Sequence, residues 1–309
     1  MSATTPTTAG PGGGSPAAPF GRVLTAMVTP LHADGSLDLP GAARLAAHLL
    51  EQGNDGLVLN GTTGESPTTT AEEKAAVVRA VREAVGPDVP LLSGVGTYDT
   101  ASSVALARDA EAAGASGLLL VSPYYSRPTQ AGLVAHTTRV ADSTDLPVML
   151  YDIPGRTGVP FTTATLVELA AHPRVVAVKD AKDDLAATCA VLAAADLAYY
   201  SGTDALNLPL LSIGGTGFVS VIGHLAAPQL AQLVAAHEAG DTALARKLHL
   251  ALQPVWEGMF RLPGVVTAKA ALARLGLPAG PVRLPLLDAT AAETDRLRED
   301  LARGGVVLP

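Results

Sequence analysis

The chain has 309 residues, a formal net charge of −8 and a single cysteine, Cys189. One cysteine excludes an internal disulfide and a cysteine-based metal site, and an acidic chain with no Lys/Arg cluster beside aromatics makes a poor nucleic-acid partner. Apolar residues make up 48% and charged ones 16%, yet no apolar run approaches the ~18 residues that a membrane span requires.

After Met1, residues 2–19 are Ser, Thr, Pro, Gly and Ala, and residues 1–19 hold no basic region or apolar core of a secretion signal. That composition predicts a disordered tail and a cytoplasmic protein. After Phe20, short apolar runs alternate with alanine-rich helical stretches. The predicted strands are Val23–Val28, Gly56–Leu59, Val89–Ser93, Gly117–Val121, Val148–Tyr151, Val175–Lys179, Leu197–Ser201 and Gly217–Val221. Helical patterns start near Asp38, Ala71, Thr100, Gln130, Thr162, Asp183 and Asp204, several behind capping residues. Eight strand–helix units about 30 residues apart predict a (β/α)8 TIM barrel over residues 20–240. Residues 241–309 lack strand signals and read as an appended C-terminal helical segment, punctuated by Pro254, Pro263 and Pro278. Gly214-Gly215-Thr216 precedes the strand that Gly217 opens, so the run ends a helix and does not cradle a phosphate.

A barrel of this kind builds its active site where its strands end. Strand two ends in Asn60-Gly61-Thr62-Thr63-Gly64-Glu65-Ser66, and strand four in Ser122-Pro123-Tyr124-Tyr125. Strand five ends in Tyr151-Asp152-Ile153-Pro154-Gly155-Arg156, and strand six in Lys179. A lysine closing a buried strand loses hydration, so its pKa falls and its neutral amine becomes a nucleophile for carbonyls. Alternation puts Val175, Ala177 and Lys179 on one face, away from Asp180. On the neighbouring strand Met149 and Tyr151 share the inward parity, so Tyr151 and Lys179 stand side by side as amine and proton shuttle. The Thr62-Thr63 turn offers hydroxyls and backbone N–H groups to a small carboxylate, and the Arg156 guanidinium suits a second one. His224 reads as a structural histidine, and Asp183 and Asp184 as a solvated helix start.

Taken in order, these motifs resemble the dihydrodipicolinate synthase family, within the N-acetylneuraminate lyase superfamily of Schiff-base aldolases. The resemblance implies a homotetramer that condenses pyruvate with L-aspartate 4-semialdehyde and needs neither metal nor organic cofactor. It implies that Lys179 forms the imine with pyruvate and that Tyr151 shuttles protons to it. It further implies that Thr62 links Tyr151 to Tyr125 donated by a neighbouring subunit, and that Thr63 holds the pyruvate carboxylate. Arg156 would receive the semialdehyde carboxylate, the Val219 carbonyl would face the site, and Gly202 joins the substrate-binding positions. Asp152 stands where many relatives have asparagine, and Thr203 where many have aspartate. In the cleft where some relatives sense lysine, Ala71, Lys74, Tyr98 and Ser102 differ from the sensitive enzymes, which implies weak or absent lysine feedback. Another pyruvate aldolase of the superfamily, or a non-catalytic keto-acid binder, are the competing readings.

Overall fold

The computed structural model describes residues 18–308; the tail expected over residues 1–19 lies, for residues 1–17, outside the described residues. Eight parallel strands close a barrel in chain order: β1 Val23–Ala26, β2 Gly56–Leu59, β3 Leu91–Gly94, β4 Gly117–Val121, β5 Val148–Asp152, β6 Val175–Asp180, β7 Ala198–Ser201 and β8 Gly217–Ser220. Every strand of a barrel packs on both faces, which is why these segments read as continuous apolar runs. Leu24, Val58, Leu92, Leu119, Met149 and Val219 fill the inside, while the other parity packs against the helices. Phe20 and Tyr200 close the lower end, where the Tyr200 hydroxyl donates to the Gly21 carbonyl at 2.9 Å.

Most helix starts fall where capping chemistry places them. Asp38, Thr70, Asp99, Thr129, Thr162 and Asp184 each accept a backbone N–H in the first turn of their helix. Asp204 departs from the expectation. It opens a short 3-10 turn, Asp204–Leu206, and the helix proper is Asn207–Ser212. Its carboxylate instead accepts from the Ser220 hydroxyl at 2.5 Å and from the Val221 and Ile222 N–H groups at 3.1 and 3.2 Å. It caps the turn after the next strand, because the barrel brings β7 and β8 together. Gly214, at φ +102°, ends the Asn207–Ser212 helix as expected.

A β-bulge corrects the strand-six parity. Val148 pairs with Val175 but Met149 pairs with Ala177, so Val176 is an extra residue. Val175 therefore packs outside with Val178, and the strict alternation expected from Val175 holds only from Ala177 onward. The bulge leaves the functional end in the anticipated register, with Tyr151 beside Lys179 and Asp152 beside Asp180. Beyond the helix Gly223–Glu238 run four more: Thr242–Ala251, Gln253–Met259, Gly264–Arg274 and Ala291–Arg303. No helix among the described residues is long and apolar enough to cross a membrane.

Candidate active site

At the strand C-terminal end lies a cavity of about 920 Å³ whose lining includes Thr62, Thr63, Tyr151, Arg156, Lys179 and Gly202. An adjoining hollow of about 400 Å³ shares Thr62, Tyr151 and Arg156 and adds Tyr124 and Tyr125. The arrangement follows from register: adjacent parallel strands lie about 4.8 Å apart, so residues of like parity at strand ends converge.

Lys179 is 6% exposed, and its Nζ sits 4.3 Å from the centre of the Tyr151 ring. Burial lowers its pKa from 10.5 to about 8; Asp204 pulls the other way and Arg156 adds to the fall. The ring face also favours the cation, but the loss of hydration outweighs both. The gain is concrete, since a drop of this size raises the neutral fraction at pH 7 by roughly 300-fold. Gly202 has a steric part in this: a Cβ there would lie 3.0 Å from Lys179 Cε. Its bare backbone leaves room for the lysine stem.

The same burial raises the Tyr151 phenol to about 12, against smaller lowering effects from Arg156 and the Thr62 side chain. The phenol therefore stays protonated, which suits it to donate a proton and not to act as a free phenolate. Thr62 sits at the tip of the turn after β2, where Asn60, at φ +56°, reverses the chain. The Asn60 side chain fixes that reversal by donating to the Lys74 carbonyl and the Ser93 hydroxyl at 3.1 and 3.0 Å. Thr63 is buried beside it. Arg156 is exposed at the cavity mouth, on the short helix Pro154–Thr157.

The remaining expected residues fall less simply. Tyr125 is 92% exposed, at φ +69°, and touches the adjoining hollow only. Val219 is fully buried inside the barrel, and Val221, not Val219, lines the main cavity. Asp180 faces outward, taking the Thr188 hydroxyl at 2.6 Å and the Lys182 N–H at 2.8 Å. Asp152 also faces outward; burial raises it to about 6, with the Lys182 ammonium 3.5 Å away. Asp183 is not merely a solvated helix residue, because it lines the cavity and accepts the Thr203 hydroxyl at 2.7 Å. His224 is fully buried and accepts the Val28 N–H at 3.1 Å, with Nδ1 2.8 Å from the Val221 carbonyl. Those contacts give it a structural role. Two residues escaped the sequence reading: Asp204 as the carboxylate whose charge acts on the amine, and Glu65, buried at 3% exposure behind the threonine turn. The presence of Glu65 in the turn motif was the only signal, and it did not say what the carboxylate touches.

Comparisons with known proteins give matches over most of the chain. The profile of the dihydrodipicolinate synthetase family matches residues 19–303. Over 294 residues the chain is 60% identical to 4-hydroxy-tetrahydrodipicolinate synthase 2 of Streptomyces coelicolor, covering 95% of this chain and 98% of that one. Over 288 residues it is 60% identical to the 4-hydroxy-tetrahydrodipicolinate synthase of Acidothermus cellulolyticus, covering 93% and 94%. Among solved structures, DHDPS from Cyanidioschyzon merolae with lysine bound matches at a TM-score of 0.91 and 40% identity, covering 94% of this chain and 99% of that one.

Proposed function

The chain belongs to the dihydrodipicolinate synthetase family, and from that premise we propose that it condenses pyruvate with L-aspartate 4-semialdehyde, the 4-hydroxy-tetrahydrodipicolinate synthase step of the diaminopimelate and lysine route. The observation that carries the reading is the Lys179 amine, buried and lowered to about 8, 4.3 Å from the Tyr151 ring. Lys179 attacks the pyruvate ketone, and loss of water gives an imine. Loss of a methyl proton then forms an enamine, with the iminium as electron sink. The enamine carbon attacks the aldehyde, and the substrate's own amine displaces Lys179 as the ring closes. Tyr151 and Thr62 move protons in these steps, Thr63 holds the pyruvate carboxylate, and Arg156 receives that of the semialdehyde. The reading takes the chain as a cytoplasmic enzyme. Turnover of pyruvate with the semialdehyde, and none of N-acetylneuraminate, is the expected result; the reverse preference would assign a sugar-acid aldolase.

Assembly is part of the same proposal. An exposed tyrosine in a left-handed conformation costs about 1–3 kcal/mol and persists only where its surroundings hold it. Tyr125 has that conformation beside the hollow that Thr62 and Tyr151 share. In a homotetramer a second copy supplies its Tyr125 to complete the relay. Diluting the enzyme until it is monomeric should abolish most turnover, and a fully active monomer would contradict the shared site.

Feedback is expected to be weak. Burial lowers Lys74 to about 8, so it remains mostly cationic at pH 7. Its ammonium already donates to the Ser66 carbonyl at 2.8 Å and the Thr69 carbonyl at 2.5 Å. A free lysine entering this cleft would set its cationic groups against Lys74. Turnover should be insensitive to millimolar lysine, and strong inhibition below that range would overturn the expectation.

A further inference from the structure

The turn that carries Thr62 and Thr63 is held from behind by the far end of the chain. Residues 279–283 run across the loops that follow β1 and β2. The Leu31 N–H donates to the Ala279 carbonyl at 3.1 Å. Gly280, at φ +70°, lies so close that a Cβ would collide with the Leu31 carbonyl. The Arg283 guanidinium donates to the Gly35 and Thr68 carbonyls and engages both oxygens of Glu73.

Glu65 is the point where this strap meets the turn. Its Oε1 is 2.5 Å from the Lys269 ammonium, and its Oε2 accepts the Arg283 N–H at 2.7 Å. Lys269 is itself tied to the strap, donating to the Pro281 carbonyl at 2.7 Å. Both side chains of the pair are 3% exposed. On the turn side, the Glu65 N–H donates to the Thr62 carbonyl and the Ser66 N–H to the Gly61 carbonyl, each at 3.1 Å. Glu65 holds a left-handed backbone, φ +57°, which a non-glycine residue keeps only where its surroundings fix it. A charged carboxylate in a dry site, with one partner on each oxygen, is a directional clamp.

We infer that Glu65 is a positioning residue for the reaction: clamped between Lys269 and the Arg283 amide, it transmits the seat of the C-terminal strap to Thr62 and Thr63. The inference rests on the proposed roles of those two threonines and deepens them. If the clamp loosens, the hydroxyls that meet pyruvate and Tyr151 shift, while Arg156, on the β5 loop, does not. A purely structural ion pair would instead change how much enzyme is folded and leave each folded site unaltered.

The experiment compares wild type, Glu65→Gln and the double variant Glu65→Gln/Lys269→Met, with active sites counted by borohydride trapping of pyruvate. The double variant removes the stranded ammonium and keeps an acceptor for the Arg283 N–H, so the fold is spared an unpaired buried charge. Per counted site, KM for pyruvate should rise about 10–100-fold and kcat should fall, with KM for the semialdehyde within about twofold of wild type. Unchanged constants per site, both KM values rising together, or loss of folding in both variants would overturn the inference alone. A wild-type chain that traps no pyruvate would instead overturn the proposed function, and this inference with it.

Discussion

Lys179→Met should lower kcat/KM by about 10⁴-fold or more, while the folded protein becomes more stable at neutral pH. The first half follows from chemistry, because a thioether cannot form an imine and, among the described residues, no other amine lines the main cavity. Lys179→Arg should fail equally, since a guanidinium is never neutral at physiological pH. The second half follows from proton linkage. The folded pKa of Lys179, about 8, lies below its ordinary 10.5. At every pH below about 8 both folded and unfolded chains carry the proton, and the folded chain bears the full cost of burying it. A shift of this size corresponds to about 3 kcal/mol. That cost fades as pH rises through the window between the folded and ordinary values and is absent above it. Methionine fills similar space without the charge, so thermal unfolding at pH 7 should move upward, with the gain vanishing near pH 10.5. A variant that is inactive and also less stable at pH 7 would show that the amine is not held against its solvation preference.

Tyr151→Phe is expected to reduce kcat by about 10²–10⁴-fold with little change in KM for pyruvate. The substitution keeps the ring beneath Lys179, 4.3 Å from Nζ, and so preserves the amine's surroundings. Only the hydroxyl is lost. A phenol raised to about 12 by burial remains protonated across the working range, so in the proposed reaction it delivers and relays protons beside the Thr62 side chain. The imine should still form in the variant, more slowly, because Lys179 needs protons moved but not a new nucleophile. Steady-state kinetics and single-turnover adduct formation separate the two effects, and an unaltered kcat would remove Tyr151 from the proton path.

The parts of the site that the sequence made legible are those governed by short-range rules. Strand ends mark the active face of a barrel, and parity on neighbouring strands put Tyr151 beside Lys179. Desolvation at the end of a buried strand was likewise readable from Val175 to Lys179. The extra residue at Val176 was not, because a bulge depends on how β5 and β6 pair and leaves no mark in an apolar run. Asp204 resembled a helix cap, and only the closure of the barrel turned its carboxylate to Ser220 and the N–H groups of Val221 and Ile222. The Glu65–Lys269 pair spans 204 residues of chain. No local pattern announces such a contact, which exists because the C-terminal helices pack against the loops of the barrel mouth. Gly202 could be named from its family position, but its physical reason, clearance for the Lys179 stem, required coordinates.

The central claim is that the Lys179 amine, kept partly neutral by burial, joins covalently to a keto acid. Incubating the protein with pyruvate, reducing with borohydride and mapping the product by peptide mass spectrometry tests it most directly. The expected outcome is one reduced pyruvate per chain, located on the peptide that contains Lys179. An unmodified chain, or an adduct confined to another lysine, would contradict the account.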